Sequence, residues 1–152
     1  MNNNVILRSL RYTFDYGDDR MIKIFELAEL KVSRAEVSDW LKKEDDPDFK
    51  SINDLYLASF LNGMIIFHRG KKEGALTVPE KRLNNNLVLR KLKIALNLKN
   101  EDILDILESV DRHLSPHELS AFFRKPDQTQ FRLCKDQIMR NFLHGLQLKY
   151  RS

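Results

Sequence analysis

A single cysteine, Cys134, stands in this 152-residue chain. No intrachain disulfide can form, so packing and hydrogen bonding alone must hold the fold, and a reducing, cytoplasmic compartment is expected. Its counterpart in the internal repeat described below is Ile52, so Cys134 reads as a small buried apolar residue. Glycine is scarce, five in all, and no Gly-rich phosphate loop of the Rossmann or P-loop pattern is present. There is no Gly-x-Ser-x-Gly elbow. No stretch approaches the roughly 18 to 20 apolar residues of a membrane span. Met-Asn-Asn-Asn offers no basic segment leading into an apolar one, so no secretory signal is expected. Nowhere does period-2 alternation run between hairpin turns, so no strand is expected.

What the chain does contain is itself, twice. Residues 2–64 align without a gap with 84–146 at a constant offset of 82, and 18 of the 63 positions are identical. Each unit of about 65 residues is too small to bury much surface alone, so the halves are expected to pack on each other. The expected organisation is a first helical repeat over 1–68, a basic linker over 69–83 and a second repeat over 84–152.

The duplication checks each local reading against a second copy. Asn2-Asn3-Asn4 and Asn84-Asn85-Asn86 supply N-cap chemistry. Behind them Leu7, Leu10 and Phe14 match Leu89, Leu92 and Leu96 at helical spacing, predicting a helix over about 4–14 and 86–96. A second helix runs through Met21, Ile24 and Phe25, matched by Ile103, Ile106 and Leu107. Ser33-Arg34-Ala35-Glu36 and Ser115-Pro116-His117-Glu118 are capping boxes opening a third helix, which ends in Lys42-Lys43 and Arg124-Lys125. A fourth covers about 53–67 and 135–149, with Gly63 and Gly145 inside it. Glycine there costs about 1 kcal/mol relative to alanine, so its presence in both copies predicts close approach by another helix. The fold class is all-α: two tandem homologous units of about four helices each, packed on each other, with two small cores and with surface between the halves buried around the fourth helix and its glycine.

The motifs Trp40-Leu41-Lys42-Lys43-Glu44-Asp45-Asp46-Pro47, Phe60-Leu61-Asn62-Gly63 and Val78-Pro79-Glu80-Lys81-Arg82-Leu83-Asn84-Asn85-Asn86 resemble the YehS-type bacterial proteins. The resemblance covers essentially the whole chain. It implies two copies of a domain of unknown function and a cytoplasmic bacterial protein, and it implies no substrate, cofactor or catalytic residue.

Net charge is +4, unevenly spread: residues 2–64 carry −3, 65–83 carry +3 and 84–152 carry +4. Such asymmetry fits attraction between the halves, or a second half that meets a polyanion. The cluster Arg69, Lys71, Lys72, Lys81 and Arg82 reads as a solvated linker. His113 and His117 have i, i+4 spacing, but Pro116 lies between them at a helix start and no third ligand is evident, so no metal is expected; His68 and His144 read as isolated surface residues. No catalytic constellation, cofactor or metal site emerges, and an enzyme is not expected.

Two functional expectations remain open. One is a non-enzymatic binding or adaptor protein, its shared surface features being Arg8 and Arg90, Asn3 and Asn85, and Lys43 and Lys125, unless these merely cap helices. An unidentified protein is then the first partner to expect, with self-association as another. The alternative treats the second and third helices as helix-turn-helix-like. Arg34 and His117 would then lie on reading helices, with Lys42, Lys43, Arg124 and Lys125 on the nucleic-acid backbone.

Overall fold

The computed structural model describes residues 1–71 and 78–151; Lys72 and Gly74 of the connector lie outside that range. Among the described residues there are eight helices and no strand: α1 (Asn3–Phe14), α2 (Asp18–Leu27), α3 (Arg34–Leu41), α4 (Asp54–Arg69), α5 (Asn85–Ala95), α6 (Asn100–Glu108), α7 (Pro116–Phe122) and α8 (Asp136–Tyr150). The all-α architecture of two four-helix units is thus as expected.

Local capping chemistry starts the first and third helices of each repeat. Asn2 and Asn84 accept from the backbone N–H of Val5 and Leu87, both at 2.9 Å. Ser33 and Ser115 form full capping boxes with Glu36 and Glu118. The α1 and α5 helices give way at Asp15 and Asn97, and α2 and α6 are followed by Glu29 and Asp111; all four have φ between 53° and 61°. Asp and Asn tolerate this left-handed region better than other non-glycine residues. These residues form two pairs separated by the repeat offset.

The remaining asparagines tie the ends of each repeat together. The Asn4 side chain donates to the carbonyls of Trp40 and Lys50 and accepts from the N–H of Ile52. Asn86 does the same with Phe122, Arg132 and Cys134. Both are buried, and each pins the connection between the third and fourth helices onto the first.

Between the halves the first helix of each repeat packs on the fourth helix of the other. α1 packs along α8, and α4 along α5. The contact is reciprocal to the level of single hydrogen bonds: across the halves Asp54 accepts from the N–H of Leu83 and Asp136 from the nitrogen of Met1, while within its own repeat Asp54 accepts from Asn3 and Asp136 from Asn85. This is a pseudo-twofold arrangement, and it corrects the expectation of two small cores. Buried residues from both repeats form one continuous core, with Phe25, Phe60 and Phe142 essentially inaccessible. Each such side chain contributes about 1.5–3 kcal/mol by leaving water.

The glycines face inward, within their own repeat rather than across to the other half. A Cβ on Gly63 would lie 1.9 Å from the carbonyl oxygen of Ile24 on α2, and one on Gly145 would lie 2.5 Å from that of Ile106 on α6. The two approaches are again related by the repeat offset. α4 lies at the centre, between α2 and α5, and every residue from Leu57 to Ile65 is buried. At the α4–α5 contact a buried lysine, Lys91, donates to Asn62 at 2.6 Å and pairs with Glu80 at 2.9 Å, anchoring the end of the connector.

Candidate functional site

The duplicated polar residues hold the fold together. Asn3 donates to the carbonyl of Ile52 as well as to Asp54, and Asn85 to the carbonyl of Cys134 as well as to Asp136. Arg8 donates to the carbonyl of Lys42 at 3.0 Å and Arg90 to that of Phe123 at 2.8 Å. Both guanidinium groups therefore cap the C-terminal end of the third helix in their repeat, where carbonyls lack partners and the dipole is negative.

The residues named for a reading helix are dispersed and partly neutralised. Arg34 is paired with Asp18 and Asp19 at the start of α2. Ser33 and Glu36 are committed to each other. Lys42 pairs with Asp39 at 2.8 Å, and the exposed Lys43 is followed by Glu44, Asp45 and Asp46. In the second copy His117 and Lys125 are exposed and Arg124 is half-buried. His113 contacts Glu108 at 2.7 Å.

A different surface collects positive charge. Three clefts join edge to edge where the C-terminal ends of α1, α4, α5 and α8 meet. The first, about 450 Å³, is lined by Arg69, Arg90, Lys93, Ile94, Asn97, Leu98 and Phe123. The second, about 470 Å³, shares Arg69 and Asn97 with it and adds Phe14, His68, Ala95, Leu96 and Tyr150. The third, about 260 Å³, shares Phe14 and Tyr150 and adds Thr13, Asp15 and Arg151. Thr13, Asp15, Tyr150 and Arg151 are the repeat counterparts of Ala95, Asn97, His68 and Arg69. The second and third clefts are therefore pseudo-symmetric copies meeting on the twofold.

The copies differ in charge. On the α1 side Arg151 stacks on Tyr12 at 4.0 Å and lies 3.7 Å from the carboxylate of Asp15. On the α5 side the position of Asp15 is held by the uncharged Asn97, beside Arg69. Along the whole groove the lining cations are Arg69, Arg90, Lys93 and Arg151, and Asp15 is the one carboxylate among the described lining residues. Rings are interleaved with these cations: Lys93 sits 4.7 Å over Phe123, and Phe14 meets Tyr150 at 5.2 Å. Under the groove the Tyr16 hydroxyl and Nε2 of His68 share a hydrogen bond at 2.7 Å. Burial raises the Tyr16 pKa and lowers that of His68, so the pair sits as neutral phenol and neutral imidazole. Cys134 is buried, and desolvation, helped by Asp136, pushes its thiol up to about 12.

Sequence reasoning overlooked this groove. Arg69 reads as linker and His68 as isolated because the aligned segment stops at Met64 and Leu146; carried five positions further, the same offset pairs Arg69 with Arg151. Nothing in the spacing reveals that the packing of each first helix on the other repeat's fourth brings these two ends together.

A tandem-duplicated, all-helical protein in which each first helix packs on the fourth helix of the other repeat is the class this architecture defines. The family described as "Protein of unknown function (DUF1456)" matches residues 3–70 and again 85–152. The chain is 44% identical over 147 residues to "Uncharacterized protein YehS" of Escherichia coli (strain K12), covering 96% of this chain and 94% of that one. It belongs to the DUF1456 family. No solved structure matches it, and among its described residues no helix is long and apolar enough to cross a membrane.

Proposed function

We propose that this protein is a non-enzymatic binding module of the bacterial cytoplasm, and that its binding surface is the groove running past Arg69, Lys93 and Arg151. One observation carries the reading: among the described residues lining three contiguous clefts there are four cations, Arg69, Arg90, Lys93 and Arg151, and one carboxylate, Asp15. Such a surface raises the local concentration of anionic partners and steers them inward. The clefts are open, and the ionisable pair beneath them is held neutral, which favours docking over acid–base chemistry. The helix-turn-helix alternative has less support, because Arg34 and Lys42 are paired to carboxylates on or beside the helices that would face nucleic acid. Binding of inorganic tripolyphosphate or polyglutamate, followed by calorimetry on the full chain, tests the proposal. Both bind weakly at low salt, and Arg69→Gln with Lys93→Gln weakens both. Absence of binding by either probe overturns the reading.

A further inference from the structure

The loop between the third and fourth helices is built twice on one backbone. In the first repeat the N–H of Asp46 donates to the carbonyl of Lys43, that of Phe49 to Asp46 and that of Lys50 to Asp39. In the second, Gln128 donates to Lys125, Phe131 to Gln128 and Arg132 to Ala121, each bond matching its counterpart within 0.1 Å. The charge on this shared backbone is inverted. Residues 39–50 carry three cations and five carboxylates, net −2; residues 121–132 carry three cations and one carboxylate, net +2. The cations keep their places, Lys42, Lys43 and Lys50 answering to Arg124, Lys125 and Arg132. The carboxylates do not: Asp39, Glu44, Asp46 and Asp48 give way to Ala121, Pro126, Gln128 and Gln130. Glu44, Asp45 and Asp48 are exposed, as are Lys125 and Arg132. Among the described residues no carboxylate pairs with Arg124, Lys125 or Arg132, and Arg132 donates only to the carbonyls of Thr129 and Phe131.

One chain thus presents two surfaces of like backbone and opposite sign, and a second copy is the partner whose charge fits both at once. We propose that copies of this protein associate through these loops, the acidic loop 39–50 of one against the basic loop 121–132 of the other. The proposal is separate from the groove, whose Arg69 and Arg151 take no part in it. Complementary charge orients the encounter, and approach of acidic loop to acidic loop, or basic to basic, is repelled. The contact is heterologous, different patches meeting from the two copies. Two short loops offer less surface than the roughly 800 Å² per partner of a stable complex, so the association is weak and salt controls it.

Sedimentation velocity on the full chain is the test. At about 0.01 M salt, where charges act over about 30 Å, the average mass rises with concentration above the 18.0 kDa of one chain. At about 0.15 M, where the range is about 8 Å, it returns to that of one chain. Two transplants follow. Pro126→Glu with Gln128→Asp and Gln130→Asp gives the second loop the carboxylates of the first; Glu44→Pro with Asp46→Gln and Asp48→Gln does the reverse. Each uses residues that the same backbone already carries in the other repeat. Alone, each variant has two loops of one sign and associates at least about 20-fold more weakly, one unit charge in water being worth about fivefold at 4 Å. Mixed in equal amounts, the two variants associate as the parent does. Lys125→Gln removes one exposed charge and no hydrogen bond; it weakens association about fivefold and serves where a transplant fails to fold. A parent that stays at the mass of one chain at every concentration in low salt overturns the proposal. Association that persists at the higher salt, or that either variant alone or Lys125→Gln leaves unchanged, overturns it too.

Discussion

Replacing Gly63 by alanine sets two well-understood effects against each other. In a helix interior alanine is favoured over glycine by about 1 kcal/mol, so a reading from propensity alone makes Gly63→Ala stabilising. Packing says the opposite. The new methyl carbon would lie 1.9 Å from the carbonyl oxygen of Ile24 and 2.8 Å from its carbon. Non-bonded carbon contacts are comfortable only from about 3.5 Å, and the obstacle is backbone, which cannot swing away as a side chain does. α4 must retreat from α2 by more than an ångström, loosening the layer that contains Met21, Phe25, Phe60 and Met64, all fully buried. Overpacking of this kind costs about 1–3 kcal/mol, and more where the backbone resists. The present glycine also directs an α-hydrogen at that carbonyl, a contact worth about 0.5–1 kcal/mol. The expected net loss is about 2–4 kcal/mol. For a domain of this size that is a fall in Tm of about 5–15 °C. Gly145→Ala supplies an internal comparison: its Cβ would meet the oxygen of Ile106 at 2.5 Å, farther away, and a side-chain methyl at the same distance. Its loss is expected to be about half as large. Urea denaturation followed by circular dichroism measures both. A Gly63→Ala protein as stable as the parent, or a Gly145→Ala protein hurt more than Gly63→Ala, would refute the reasoning.

Asn86→Ala leaves the carbonyls of Phe122 and Arg132 and the N–H of Cys134 without their partner; a loss of about 3 kcal/mol is expected, and Asn4→Ala matches it within about 1 kcal/mol in the same denaturation assay. Lys91→Ala strands Glu80 at the α4–α5 contact and costs about 3 kcal/mol, whereas Lys91→Met, which refills the volume, costs less; thermal unfolding of the two variants gives the order. His68 has its folded pKa held below the ordinary 6.5 by burial, so the folded state binds fewer protons than the unfolded chain as pH falls through and below that value. Stability is then lost on acidification from about pH 7 toward the folded pKa and is regained as pH rises; His68→Gln flattens that portion of a Tm-against-pH curve. Native Cys134, its thiol raised to about 12 by burial, reacts with a disulfide reagent only as fast as the protein opens, and adding urea accelerates the reaction.

How much of this was legible in the sequence depends on the range of the interaction. Contacts within a turn of helix were readable: Ser33 with Glu36, Ser115 with Glu118, and the caps at Asn2 and Asn84 are local chemistry, and the second copy doubles each signal. Gly63 and Gly145 announced a close approach, but not to which helix, since a helix's own sequence does not say which neighbour lies over its glycine. Glu29 in the left-handed region carried no signal at all, because glutamate is not a residue that favours it. The asparagine triplet could be read as a cap, yet only its first member is one; the second and third reach 36 to 51 residues along the chain. The groove was least legible. It is assembled from four helix ends, and the packing of each first helix on the other repeat's fourth that joins them leaves no mark in spacing or periodicity.

The places where the two halves agree and the places where they differ do different physical work. The agreeing residues (the asparagine triplets, Asp54 with Asp136, Gly63 with Gly145, Arg8 with Arg90) satisfy backbone groups in matched pairs or permit close packing. A change in any one of them leaves a partner unsatisfied or a helix displaced. Many pairs differ, and five of them fall where the halves meet or at the clefts: Ser9 opposite Lys91, Asn62 opposite His144, Phe14 opposite Leu96, Asp15 opposite Asn97, His68 opposite Tyr150. Asp15 and Asn97 share nearly the same left-handed backbone, φ 53° and 54°, so the charge at this position can change at almost no conformational cost. Asn97→Asp is therefore expected to alter stability by no more than about 0.5 kcal/mol, which urea denaturation reads directly; a larger loss would show that the second repeat depends on an uncharged side chain at this turn.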